Sequence, residues 1–359
     1  MDGALEGLYR DAFAHAREVL DLERTYLAVG DARFGSLLRD VNARYASLFS
    51  KASVDVLREG PGSADDALLR NQLLRYVLRE CVRGGLQEEI DAFEVAKEEH
   101  GVMEVLRGFA ACRSREERAR GLEALGRCSL ALWPRVQQRY LRAQSFAREC
   151  GFSCYEDLVG AAYDVGALRV YARDVREAQG RVSGEASLEW VRCFGEEPRF
   201  ASDQVPGRVD AFLRAVLPAG HGRFSFEPGV RPLSVPDLGV EGCMGASAFI
   251  PGSWAGLDAW IAGMHEAGHV YQCVVPKQDP SVYHGLVFDP VLCEQVPPVF
   301  EKGLASKGFL EWVLGRAVAP DEARVHRAAC DAAVSRQRLA SGASQFLVRR
   351  SALGGEGFG

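Results

Sequence analysis

The 359-residue chain is short of the features that mark several large classes of protein. No stretch approaches the length of apolar sequence needed to span a bilayer, so no membrane role is expected. The opening Met1-Asp2-Gly3-Ala4-Leu5-Glu6 carries neither a basic segment nor an apolar run. A secretory leader is therefore not expected, and the compartment reads as cytoplasmic. Lysine and arginine (43) are outnumbered by acidic residues (49), and the net charge of −6 argues against a nucleic-acid-binding surface. The ten cysteines include no CxxC pair, so they read as reduced, mostly buried thiols. Internal repeats are lacking as well. What is present, 47% hydrophobic and 26% charged residues, suits a soluble globular protein with ample core.

The first two hundred residues read as almost wholly helical. Ser63-Ala64-Asp65-Asp66 resembles a capping signal, opening a helix through Leu68, Leu69, Leu73, Leu74 and Val77 that stops at Gly84-Gly85. A long helix through Leu132, Val136, Tyr140 and Ala143 ends at Gly151, and Ser153-Cys154-Tyr155-Glu156 reads as a capping box for the next. Mixed charges from Arg113 to Arg120 fit a solvated helix face better than a binding patch. Between about Glu196 and Gly252 the composition shifts towards proline and glycine. Arg223–Phe226 and Ala246–Ile250 alternate as short strands do. We therefore expect a mainly α fold, with a helical lobe over 1–200, a second lobe over 201–359, and a small β-sheet ahead of residue 253. The glycine-rich end, 354–359, reads as a frayed tail.

The most informative stretch is His265-Glu266-Ala267-Gly268-His269. On a helix, residues four apart stand on one face, so two imidazoles can reach a single metal ion. The carboxylate between them can act as general base towards a water at the ion's open position, the HExxH arrangement of zinc hydrolases. Chance supplies this pattern in roughly one chain in a hundred of this length, but seldom inside a good helix. Here Ser253 is a plausible N-cap, Pro276 a stop, and Leu257, Ile261, Met264, Gly268, Tyr271 and Val275 recur at three- and four-residue steps. The competing reading is a buried helix that happens to carry two histidines. Cys273 and Cys293 fit core packing better than ligation.

A catalytic zinc needs a third protein ligand. The best candidate is Glu294, in Glu294-Gln295-Val296-Pro297-Pro298-Val299-Phe300-Glu301. At this point the chain resembles the thimet oligopeptidase/oligoendopeptidase F family of zinc metallopeptidases. That family carries HExxH on one helix and a glutamate ligand from a later one, 29 positions after the first histidine, the spacing of His265 to Glu294. A second glutamate follows seven positions on, as Glu301 does. Tyr283-His284-Gly285 and Phe249-Ile250-Pro251-Gly252, followed by Leu257-Asp258, also look like the family's connecting loop and lead-in. The match is specific over about 240–305.

The resemblance implies a multi-helix metallopeptidase scaffold, with His265, His269 and Glu294 holding one Zn2+ per chain and Glu266 as catalytic base. It further implies Glu301 as an outer partner of a ligating imidazole, against the alternative of a surface carboxylate. Gly242–Ile250 resembles the family's edge strand, where Gly245, Ala246, Ser247 and Ala248 would pair with the backbone of a short peptide substrate. Two departures stand out. Pro297 replaces the family's serine, and only 58 residues follow Glu301, where the family supplies tyrosine and histidine to the oxyanion. His326 is the sole later histidine and has no such loop around it. The catalytic lobe is thus expected to be shortened. Hydrolysis of oligopeptides is the leading expectation. A catalytically impaired metal- or peptide-binding relative, and a zinc carboxypeptidase of a related helical family, stay open as alternatives.

Overall fold

In the computed structural model the described residues are 3–30, 33–59, 64–102, 104–105, 108, 114–162, 184–194, 197–217, 222–229, 232–239, 242–251, 256–275, 293–294 and 296–334. The fold is mainly helical with one three-stranded sheet. No helix among the described residues is long and apolar enough to cross a membrane.

The N-terminal part is built on α1 (Gly3–Val29), α2 (Phe34–Arg44), α3 (Lys51–Glu59), α4 (Ala64–Gly85) and α5 (Gln87–Glu99). Leu5, Ala12 and Ala16 of α1 bury a stripe at helical spacing against Leu48, Leu57, Leu73, Tyr76 and Val77. Within this core the His15 ring is held by Tyr76 Oη at 2.6 Å and Asn42 Oδ1 at 2.8 Å. The long helix α6 (Arg115–Glu149) ends at Cys150, with Gly151 in the left-handed region, as expected. Its start is a capping box between Ser114 and Glu117, and the charged run after it is largely exposed. Helix α7 (Tyr155–Ala162) begins where expected but by other means. Gln144 of α6 accepts from the Tyr155 N–H, while the Ser153 hydroxyl donates to Asp157. Ser63 and Ser253, read as caps, the loop at 283–285 and the tail at 354–359 lie outside the described residues.

The second core gathers Trp190 and Phe194 of α8 (Gly184–Phe194) with Val205 and Val209 of α9 (Val205–Val216). It also takes in Trp260, Ile261 and Met264 of α10 (Gly256–Val274). Helices α11 (Pro297–Leu304), α12 (Lys307–Leu314) and a helical stretch over 320–334 complete it. Because Trp190 and Phe194 belong to this core, the lobe takes in residues ahead of position 201. His326 knots it together. Its Nδ1 accepts from Trp190 Nε1 at 3.1 Å, and its Nε2 donates to the Leu304 carbonyl at 2.9 Å.

The sheet has β3 (Gly242–Pro251) in the middle, with β1 (Arg223–Gly229) parallel and β2 (Leu233–Gly239) antiparallel to it. Strands β1 and β3 fall where the alternation placed them. Strand β2 carries prolines in and beside it, so its sequence does not signal a strand. It tolerates Pro236 because it is an outer strand, where a missing N–H need not break the ladder. Ala246 and Ala248 of β3 face α9 and α10, against Leu213, Val270 and Val274. Phe249 and Val235 face the other way onto Leu27 of α1. Arg24 of α1 also donates to the Pro236 carbonyl at 3.2 Å.

Candidate metal centre

The spacing of apolar residues predicts an amphipathic helix α10 with a single apolar stripe. It is instead buried on nearly every side, with Leu257, Ala259, Trp260, Ile261, Ala262, Gly263, Met264, Glu266, Ala267, Gly268 and Val270 all enclosed. A helix apolar all round belongs in a core, and its polar side chains are then held by specific partners. His265 and His269 present their Nε2 atoms to each other at 3.1 Å. The turn ahead of α11 brings in Glu294, whose carboxylate lies 3.5 Å from His265 Nε2 and 3.6 Å from His269 Nε2. Glu301, one side of α11 further on, accepts a 2.7 Å hydrogen bond from His265 Nδ1 and is only 8% exposed. It is therefore no surface carboxylate. Pro297, which departs from the resembled pattern, is the first residue of α11, where a helix needs no N–H.

The protonation pattern follows from burial and neighbours. Burial works to lower the His265 pKa, but the hydrogen bond to Glu301 and the carboxylates of Glu266, Glu294 and Glu301 together raise it. His269 is pushed down to about 4, first by burial and then by His265, against the pull of hydrogen bonds to Gln272 and the Cys293 backbone. Burial lifts Glu294 as well. Glu266, 4% exposed, is raised to about 7 by burial, with His265 and hydrogen bonds from Ser234 opposing.

These residues fit a zinc ion on their own geometry. His265 directs its Nδ1 at Glu301, so its Nε2 faces the centre, where the neutral ring would offer a lone pair to a cation. His269, whose pKa is lowered chiefly by burial, sets its Nε2 at the same centre. Two imidazole nitrogens and a carboxylate facing one point are a donor set suited to a divalent cation. Ligand atoms bound at 2.0–2.1 Å around a tetrahedral zinc stand about 3.3 Å apart. The two nitrogens stand 3.1 Å apart, close to that value, and Glu294 sets one oxygen 3.5 Å from His265 and the other 3.6 Å from His269. Among the described residues this trio is the group of potential ligands close enough to share an ion.

Other expectations are corrected. Gly245, Ala246, Ser247 and Ala248 lie on the central strand, hydrogen-bonded to β1 on one side and β2 on the other. A strand with both edges paired has no free N–H or C=O row, so no substrate can add there. The outer side of β2 is no substitute. Pro236 has no N–H, and its carbonyl is taken by Arg24. His326 is a core residue remote from oxyanion chemistry, and Cys273 packs against the cluster under β3, as expected of a small hydrophobe. No local sequence pattern marks Ser234 as a site residue. Its hydroxyl lies 2.7 Å from Glu266 Oε2 and 3.1 Å from the Glu266 carbonyl, from a strand 32 positions upstream. Comparison of the chain with protein-family models, curated proteins and solved structures found no significant match in any of the three.

Proposed function

We propose that the protein is a zinc-dependent peptidase acting on short peptides, with His265, His269 and Glu294 as ligands and Glu266 as general base. The observation that carries this reading is the convergence of two imidazole nitrogens and a carboxylate at 3.1–3.6 Å, from positions spread over 30 residues of sequence. A buried carboxylate follows the first ligand directly on the same helix. Zinc held there would polarise a scissile carbonyl and acidify a water. Glu266, raised to about 7, is suited to exchange protons near neutrality. It takes the proton released as water adds to the carbonyl and returns it to the leaving amine nitrogen. Glu301 orients the His265 ring through its 2.7 Å contact with Nδ1.

The test is zinc analysis joined to cleavage of a quenched fluorescent oligopeptide by wild type and Glu266→Gln. We expect about one zinc per chain in both proteins. Cleavage should fall on the order of 10²- to 10⁴-fold in the variant. Cleavage that survives Glu266→Gln, or a protein that takes up no zinc, sinks the proposal. Zinc uptake without cleavage would assign the chain as the impaired relative. Products shortened only from the C-terminal end would assign the carboxypeptidase.

A further inference from the structure

We infer that Ser234 is a positioning residue for the base: its hydroxyl holds the Glu266 carboxylate by Oε2 and leaves Oε1 to accept the proton. The inference rests on the peptidase reading above. A glutamate side chain has three rotatable bonds, and a buried one that must collect and deliver a proton gains from being held in one arrangement. Glu266 grows from a helix packed on all sides, but its carboxylate points at the sheet, where β2 passes. Strand alternation sends the Ser234 side chain towards α10, while Val235 beside it points away onto α1. The Ser234 hydroxyl thus meets the carboxylate at 2.7 Å from a strand that packs on another element.

The hydroxyl carries one proton and has two acceptors in reach, both belonging to Glu266. An ionised carboxylate oxygen at 2.7 Å outcompetes a neutral carbonyl at 3.1 Å, so the proton goes to Oε2. Contact with both the backbone and the tip of one residue spans its whole side chain and sets its torsions. Outer strand β2 is kept in place for this by Arg24 on the Pro236 carbonyl and by Val235 packed on Leu27. The N-terminal helix thus supports the base through the strand.

The experiment compares zinc-loaded wild type with Ser234→Ala, Ser234→Cys and Ser234→Thr. It reads kcat and KM on a peptide, and the affinity of a peptide hydroxamate, whose hydroxyl proton passes to the base. Ser234→Ala and Ser234→Cys should lower kcat on the order of 10- to 100-fold with KM little changed. Both should weaken the hydroxamate by a similar factor while zinc content stays as in wild type. The cysteine variant keeps the volume and loses only the strong donor, so it carries the test if the alanine variant folds poorly. Ser234→Thr should restore both readouts. Wild-type kcat and hydroxamate affinity in the alanine or cysteine variant overturns the role of Ser234 and leaves the peptidase reading intact. If Glu266→Gln binds the hydroxamate as tightly as wild type and wild type cleaves nothing, the peptidase reading fails and the positioning role falls with it.

Discussion

Gly268 and Pro297 meet backbone to backbone: a Cβ at position 268 would stand 2.5 Å from the Pro297 Cα. That approach is what lets α11 lie on α10 closely enough for Glu301 to reach His265 and Glu294 to reach both imidazoles. In an ordinary helix interior, alanine is favoured over glycine by up to about 1 kcal/mol. At 268 the sign should reverse, because the obstructing atoms are backbone. We expect Gly268→Ala to destabilise by about 1–3 kcal/mol, as overpacking does, and to lower zinc affinity at least tenfold. Gly126→Ala, on α6 with nothing near the added carbon, is the control and should be stabilising. Urea unfolding and zinc titration of the two variants decide the matter. Equal zinc affinity in Gly268→Ala and wild type would refute the contact's role.

Removing the partner of His265 frees its ring to rotate and to change tautomer. Glu301→Ala should weaken zinc binding about 10- to 100-fold. Glu301→Gln, which keeps an oxygen acceptor, should lose less. A competition titration against a chromophoric chelator measures both, and an unchanged affinity in Glu301→Ala would show that the 2.7 Å contact does not support the site.

Burial lowers the His326 pKa below its ordinary 6.5, against the raising influence of the Leu304 carbonyl. The folded protein therefore holds this ring neutral at a pH where the unfolded chain has begun to protonate it. Stability from this residue is fully present above about pH 6.5 and is lost as pH falls towards the lowered folded value. His15, also lowered chiefly by burial, acts in the same direction. Each such proton adds up to about 1.4 kcal/mol per pH unit to the slope of stability against pH. His326→Gln should be less stable at neutrality and show a flatter slope between pH 6.5 and 5. An unchanged slope would mean that the ring is not neutral in the fold.

Zinc should stabilise by mass action without being needed to fold. At free zinc one hundred times the dissociation constant, the gain is about 2.7 kcal/mol. Chelator should therefore lower the melting temperature by a few degrees, while far-ultraviolet dichroism keeps its helical amplitude. The hydrophobic cores contain none of the three ligands, which is why the metal should be dispensable for folding. Loss of helical signal on chelation would contradict this.

Within one helix, four residues make about one turn, so the spacing of His265 and His269 already determined that their rings share a face. Long periodic stretches determined α4 and α6, whose ends at Gly85 and Cys150-Gly151 were legible from glycine. The distance in sequence to Glu294 was readable only as a resemblance, since nothing local says how a turn folds back. Tertiary structure alone decided the strand order. Patterns of alternation mark strands but not neighbours, so β3 looked able to take a substrate and is instead enclosed on both edges. It also decided that Ser234 meets Glu266, that Gly268 admits Pro297, and that Trp190 leans on His326. Each of these contacts joins elements far apart in the chain. Their geometry is set by how whole faces pack, an energy summed over many side chains, whereas a motif records only the few that sit together on one element.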